Sequence, residues 1–256
     1  MTIDGESPTI FKHLPVQAQA SSLADGVMGF GHAPDATVVN DRRHWLKSLG
    51  IKLDDTTLVR IAYDETTDYR RITTVTDADR GKGMADLHNP VVADALFTEE
   101  PAHALFLPLA DCGGVVLYDS RTRVLGLAHL GRHATMAGLA KQLIAYMRQR
   151  FNSNPSDISI WIGPAIGGDS YMLHTFALED EPEWQPYIKR KNDGIYVDLQ
   201  AYNVEQFTSA GVPNAQIECT NVDTATHPAY PSHYRYRTHG ERQKAGRFAI
   251  VARMSK

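Results

Sequence analysis

Cys112 and His129 are the residues whose types and spacing point most clearly to chemistry. Cys112 lies in ADCGGVVLYD and His129 in RVLGLAHL, two apolar stretches rich in β-branched residues that read as strands. A hairpin turning at Ser120–Arg121 would pair Asp119 with Thr122 and Val116 with Leu125. The same register sets Cys112 opposite His129. Directly opposed β-carbons lie about 4.5–5.5 Å apart, a separation that suits a thiolate–imidazole pair or two ligands of one zinc ion. Gly113 and Gly114 beside them would let a ligand approach the backbone. Arg132 and His133 follow directly, at the mouth of a helix whose first N–H groups are free to bind an anion. They are the candidate phosphate- or carboxylate-binding pair.

The elements that must position these residues are legible from periodicity. GGVVLYD (Gly113–Asp119) and RVLGLAHL (Arg123–Leu130) are apolar at both parities, so their sheet should be covered on both faces. LVRIAY (Leu58–Tyr63), RRITTV (Arg71–Val75), ALFLPL (Ala104–Leu109), ISIWIG (Ile158–Gly163), AQIECTNV (Ala215–Val222) and RFAIVARM (Arg247–Met254) read as further strands. Helices are expected at Asn40–Gly50, His133–Phe151 and Val197–Gly211, the second with the clearest amphipathic spacing. Strands and helices do not alternate strictly. That favours an α+β fold of layered mixed sheets flanked by helices. Residues 1–25 lack periodicity and read as a loosely ordered lead-in to one domain over 26–256.

ADCGGVVLYD, AHLG, a long helix and then GPAIGGDSYML resemble, in that order, the YfiH-like family. Its members carry the labels laccase-domain or multicopper polyphenol oxidase and purine nucleoside phosphorylase. Looser agreement extends through NDRRHWLKSLG, ADALFTEEP and YRYRTHGERQKAGRFAIVA, so the likeness runs from about residue 26 to the end. The resemblance implies a fold related to the catalytic domain of cytotoxic necrotizing factor. It also implies a zinc site of one cysteine and two histidines, and phosphorolysis or deamination of purine nucleosides. Cys112 and His129 match two of those ligands. The third falls in RIAY (Arg60–Tyr63), aligned with Ala62 at the histidine position. The family's GWRG is GRHA here (Gly131–Ala134). A catalytic zinc uses three protein ligands, so His88 of the DLHNP loop, His103 and His133 are candidates to complete the set, with His88 first among them.

Composition narrows the alternatives. The 256 residues carry 26 Lys and Arg against 30 Asp and Glu, a net charge of −4. No basic field exists to hold nucleic acid through counterion release. The basic, aromatic run HYRYRTHGERQKAGR (His233–Arg247) is expected to close over the ligand or to lie solvated. The longest apolar run, ALFLPLA, is too short to span a bilayer, and two cysteines are too few for a disulfide framework. The N-terminus lacks the pattern of a secretory signal. These features predict a cytoplasmic protein, monomer or homodimer, whose partners are a purine nucleoside and phosphate rather than nucleic acid or membrane. Two other readings remain at this point: a family member altered by the loss at Ala62, binding ligand without catalysis, and a metal-free hydrolase with Cys112 as nucleophile and His129 as base. Copper chemistry is disfavoured, because the eleven histidines form no HxH clusters.

Overall fold

The computed structural model describes residues 7–64 and 67–255. In chain order its strands are β1 (Val16–Ala20), β2 (Thr56–Arg60), β3 (Ile72–Thr74), β4 (Val91–Val92), β5 (Ala95–Thr98), β6 (Ala104–Leu109), β7 (Gly113–Asp119), β8 (Val124–Leu130), β9 (Ile158–Ile162), β10 (Met172–Leu173), β11 (Ile188–Lys191), β12 (Gly194–Val197), β13 (Ile217–Cys219) and β14 (Phe248–Met254). The α-helices are α1 (Asp35–Ser48), α2 (Arg132–Met136), α3 (Leu139–Phe151), α4 (Leu199–Ser209) and α5 (His233–His239). Three sheets form, with strand orders β1-β14-β6-β2-β4, β13-β9-β7-β8-β5-β3 and β10-β12-β11. Parallel and antiparallel pairs mix within the two larger sheets. The α+β class with layered mixed sheets is therefore the observed one.

The burial of β7 and β8 on both faces explains the layering. Val116, Tyr118, Leu125 and Leu127 point into one core with Leu105, Leu107, Ile250 and Ala252 of the five-stranded sheet. Val115, Leu117, Val124 and Ala128 point the other way, onto Leu139, Leu143, Ile144 and Met147 of α3 and Phe207 of α4. The outer face of the five-stranded sheet is covered by Trp45 and Leu46 of α1, which meet Phe106 and Val251. Four layers result: helix, sheet, sheet, helices. The small third sheet has its own core around Trp184, stacked on Tyr202 with ring centroids 3.8 Å apart.

Three expectations change. First, Val16–Ala20, inside the expected lead-in, pairs with β14 from Val16↔Met254 to Ala20↔Ile250. Its VQAQA sequence alternates buried and half-buried residues, the period of an edge strand. Second, the helix expected over His133–Phe151 is two helices. Gly138, at φ +77°, breaks it, so the segment beside the site is a five-residue turn of helix. Third, the β7–β8 loop is longer than a two-residue turn. Asp119 closes it with Val124, and Asp119 Oδ1 accepts from the N–H groups of Arg121 and Thr122. Arg123, at φ +57°, completes the reversal.

Candidate functional site

The longer loop moves the register of the hairpin by two residues. His129 now faces Gly114, and Gly113 faces Leu130. A shift of two preserves side-chain parity. Cys112 and His129 therefore stay on one face as diagonal neighbours rather than as a directly opposed pair. That face looks into the seam between the two large sheets, where Gly114 packs: a β-carbon there would strike Leu109 and Ile250 at about 2.5 Å. Gly114 thus serves sheet packing, and the glycine that makes room at the site is Gly131. A β-carbon on Gly131 would lie 2.7 Å from His129 Cε1 and 3.1 Å from both His129 Nε2 and Cys112 Sγ. The thiol and the imidazole converge on the space that Gly131 leaves open.

A third side chain joins them. Tyr63, just beyond the end of β2, places its hydroxyl 3.5 Å from His129 Nε2, and the two rings meet edge to face at 6.2 Å. Tyr63, not Ala62, is the residue of RIAY that faces His129. Tyr63 as a residue is 67 % exposed, while its hydroxyl approaches the buried His129.

The three groups are held uncharged. Burial pushes the Cys112 thiol up to about 12, with the nearby Asp111 carboxylate adding to it. Burial lowers His129 to about 4, helped by the positive charge of Arg247. Burial, with Cys112 close by, raises the Tyr63 phenol above its ordinary range. At neutral pH the metal-free protein presents a thiol, a neutral imidazole and a phenol, not a thiolate–imidazolium pair. His129 Nδ1 is buried without a hydrogen-bond partner among the described residues.

Asp111 holds the local frame. It adopts φ +74°, a conformation that a non-glycine residue occupies at a cost of about 1–2 kcal/mol. Four hydrogen bonds hold it there. Oδ1 accepts from Thr224 Oγ1 at 2.6 Å, and Oδ2 accepts from Ser232 Oγ at 3.1 Å and from the Tyr234 N–H at 2.7 Å. Its carbonyl accepts from the Ile166 N–H of the GPAIGG loop at 2.9 Å. Asp111 so ties the hairpin to the loop after β9 and to the start of α5. From sequence it was only a neighbour of Cys112; its role depends on partners more than fifty residues away.

These groups line a cavity of about 860 Å³, within the range of small-molecule sites. Arg132 and His133, the predicted anion pair, both line it. The charge of Arg132 acts on the Tyr171 phenol, and His133 stacks on Tyr69 with ring centroids 4.8 Å apart and planes 15° from parallel. The helix they start is too short to act as a helix-dipole site, so their own side chains must supply any anion binding. The His233–Arg247 segment contributes His233, Tyr234, Arg237 and Arg247 to the lining, so it borders the cavity rather than lying wholly in solvent.

The other histidines proposed as metal ligands lie elsewhere. His88 is exposed in a turn where its N–H donates to Asp86 Oδ1, and Leu87 of that loop lines the cavity instead. His103 is fully buried with Nε2 2.7 Å from Thr57 Oγ1, a structural contact outside the cavity. Among the described residues, no three His, Cys, Asp or Glu side chains gather closely enough to hold a metal ion. Cys112 and His129 supply two suitable donors, and the side chain beside His129 is the Tyr63 phenol, whose ionisation burial disfavours. This donor set falls short of the three-ligand pattern of a catalytic zinc.

Comparison with known proteins decides the family. The family model described as multi-copper polyphenol oxidoreductase laccase matches residues 23–255. The chain belongs to this family. Within the laccase-like family, it is 32% identical over 210 residues to a purine nucleoside phosphorylase, YlmD, of Geobacillus stearothermophilus, covering 77% of this chain and 75% of that protein. It is 33% identical over 212 residues to the purine nucleoside phosphorylase YlmD of Bacillus subtilis, covering 80% and 74%. Its fold matches the crystal structure of Geobacillus stearothermophilus YlmD with a TM-score of 0.85 at 26% identity, covering 97% and 94% of the two chains. A Bacillus licheniformis protein, YfiH, matches with a TM-score of 0.83 at 27% identity, covering 94% and 93%. The YfiH-like resemblance of the sequence is the family observed.

Proposed function

We propose that this laccase-like family member is a purine nucleoside phosphorylase whose reaction takes place over Cys112, His129 and Tyr63. The observation that carries the reading is their convergence on the gap at Gly131, in one cavity with cationic side chains and aromatic walls. The relatives named as purine nucleoside phosphorylases support the substrate class. In phosphorolysis a phosphate oxygen forms a bond to C1′ of the ribose as the C1′–N bond to the base breaks. The base leaves with the electron pair and takes up a proton.

The chain's residues suit the parts of that step. Arginines along the cavity hold the phosphate and offset its charge. Tyr69 and His133 form a stacked pair against which a flat base can lie. The protonated Tyr63 hydroxyl donates a hydrogen bond toward His129 or the substrate. The neutral imidazole of His129 accepts or passes a proton at Nε2. Zinc, expected from the resemblance, has no part in this step, because the donor set does not fit it. Cytoplasmic location remains part of the proposal. Both cysteines are free, and among the described residues no helix is long and apolar enough to cross a membrane.

The test is release of free base from adenosine, inosine and methylthioadenosine by the wild type, Cys112→Ala, His129→Gln and Tyr63→Phe. The proposal expects turnover in the wild type and a loss of a hundredfold or more in His129→Gln. Wild-type rates in all three variants would refute this assignment of the site. Conversion of adenosine to inosine, seen in the same chromatogram, would add the deaminase activity.

A further inference from the structure

The cavity holds more positive charge than one wall explains. Arg132 lies close enough to Tyr171 for its charge to work against the rise that burial gives that phenol. Arg42, deeper in the lining, donates to the carbonyls of Met28, Gly83 and Met84. Arg247 differs from Arg42. It is half-buried just before β14, and among the described residues its one side-chain hydrogen bond goes from Nη1 to the carbonyl of its neighbour Gly246, at 2.8 Å. Neither Arg247 nor Arg237 forms an ion pair among the described residues.

His32, His233 and Arg237 line the same cavity and surround Arg247 electrostatically. The charge of Arg247 lowers both histidines, after the effect of burial, and Arg237 lowers His233 further. Asp111 is the carboxylate among the cavity-lining residues, and both its oxygens are already taken by Thr224, Ser232 and Tyr234. A half-buried guanidinium without a carboxylate hydrogen bond, with the Arg237 cation and two imidazoles lining the same cavity, suits an anionic ligand. The stem of Arg247 is also fixed in place. A β-carbon on Gly29 would lie 2.6 Å from its Cγ, so the absence of a side chain at Gly29 makes the space it occupies.

We infer that Arg247, with His32, His233 and Arg237 at the cavity rim, forms a phosphate-binding subsite distinct from Arg132 and His133. The inference rests on the nucleoside phosphorylase reading for the choice of phosphate as the anion. The phosphate group has two sources, inorganic phosphate as co-substrate or the 5′-phosphate of a nucleotide, and the ligand arms of the test separate them.

The test is calorimetric titration of inorganic phosphate alone, adenosine and AMP into the wild type, Arg247→Gln, Arg237→Gln and Arg132→Gln. Arg237 is exposed, so its variant reports on the subsite even if Arg247→Gln fails to fold. The inference expects phosphate affinity to fall about tenfold in Arg247→Gln and severalfold in Arg237→Gln, and to change less in Arg132→Gln. AMP binding more tightly than adenosine, with the gap closed by the Arg237 or Arg247 change, identifies a nucleotide ligand. Equal affinity for AMP and adenosine, with phosphate still sensitive to both changes, identifies inorganic phosphate. Phosphate and AMP binding that ignores both changes, or no binding of either to the wild type, overturns the subsite. Binding is read without turnover, so a failure of nucleoside phosphorolysis would sink the proposed reaction and leave this result standing.

Discussion

Replacing Gly131 with alanine probes the site without touching its reactive atoms. Gly131 caps α2 with φ −78° and ψ 174°, a conformation alanine adopts without strain. The backbone therefore tolerates the change, and loss of a glycine N-cap costs well under 2 kcal/mol. The new methyl is less benign. Its carbon would lie 2.7 Å from His129 Cε1 and 3.1 Å from His129 Nε2 and Cys112 Sγ. Carbon atoms in contact prefer about 3.5–4.0 Å, so the imidazole must retreat by roughly 1 Å. A displacement of that size at reacting groups costs about a hundredfold in rate. Steady-state base release should fall by that order while the melting temperature moves by only a few degrees. The Cys112 thiol should also change its rate of alkylation. A Gly131→Ala protein with wild-type turnover would refute the claim that His129 and Cys112 act through this gap.

Asp111→Ala removes the acceptor for Thr224, Ser232 and the Tyr234 N–H. It should cost roughly 3 kcal/mol or more in urea unfolding, and a loss below 1 kcal/mol would contradict the role given to Asp111. Lys244, buried, donates to the carbonyls of Thr224, His227 and Tyr230. Lys244→Met should therefore destabilise by about 2–4 kcal/mol and expose the 224–230 loop to proteolysis. His103 is fully buried and lowered to about 4 by burial and then by Arg80. It stays neutral when folded but binds a proton below about 6.5 when unfolded. Its contribution is complete above pH 6.5 and is lost as pH falls toward 4, up to about 3 kcal/mol. Urea unfolding over pH 4–7 should show proton uptake on unfolding, and His103→Gln should lower that uptake by up to one proton.

The parts of the fold that the sequence revealed are those governed by local pattern. The doubly apolar strands β7 and β8 announced a sheet covered on both faces, and they divide two cores. Cys112 and His129 were recognisable because they sit at the ends of those strands. Their exact pairing was not, because the loop length depends on the Asp119 side chain bonding two backbone N–H groups, which no strand pattern encodes. The break at Gly138 hid inside an otherwise helical spacing. β1 hid because glutamine alternates with small apolar residues too weakly to signal a strand. Tyr63, Asp111 and Arg247 gain their roles from tertiary contacts, with partners across sheets and loops. The basic C-terminal run could be read as closing over a ligand or lying solvated, and only the fold shows that Arg247 lines the cavity.

The most direct test identifies the second product of nucleoside cleavage. Purified wild-type protein is incubated with inosine and phosphate, and the sugar product and free base are quantified together, with zinc content measured on the same sample. The account predicts hypoxanthine and ribose 1-phosphate in equal amounts, with no release when phosphate is omitted. Free ribose formed without phosphate, or no cleavage of any purine nucleoside by protein that is folded and zinc-supplied, would contradict it.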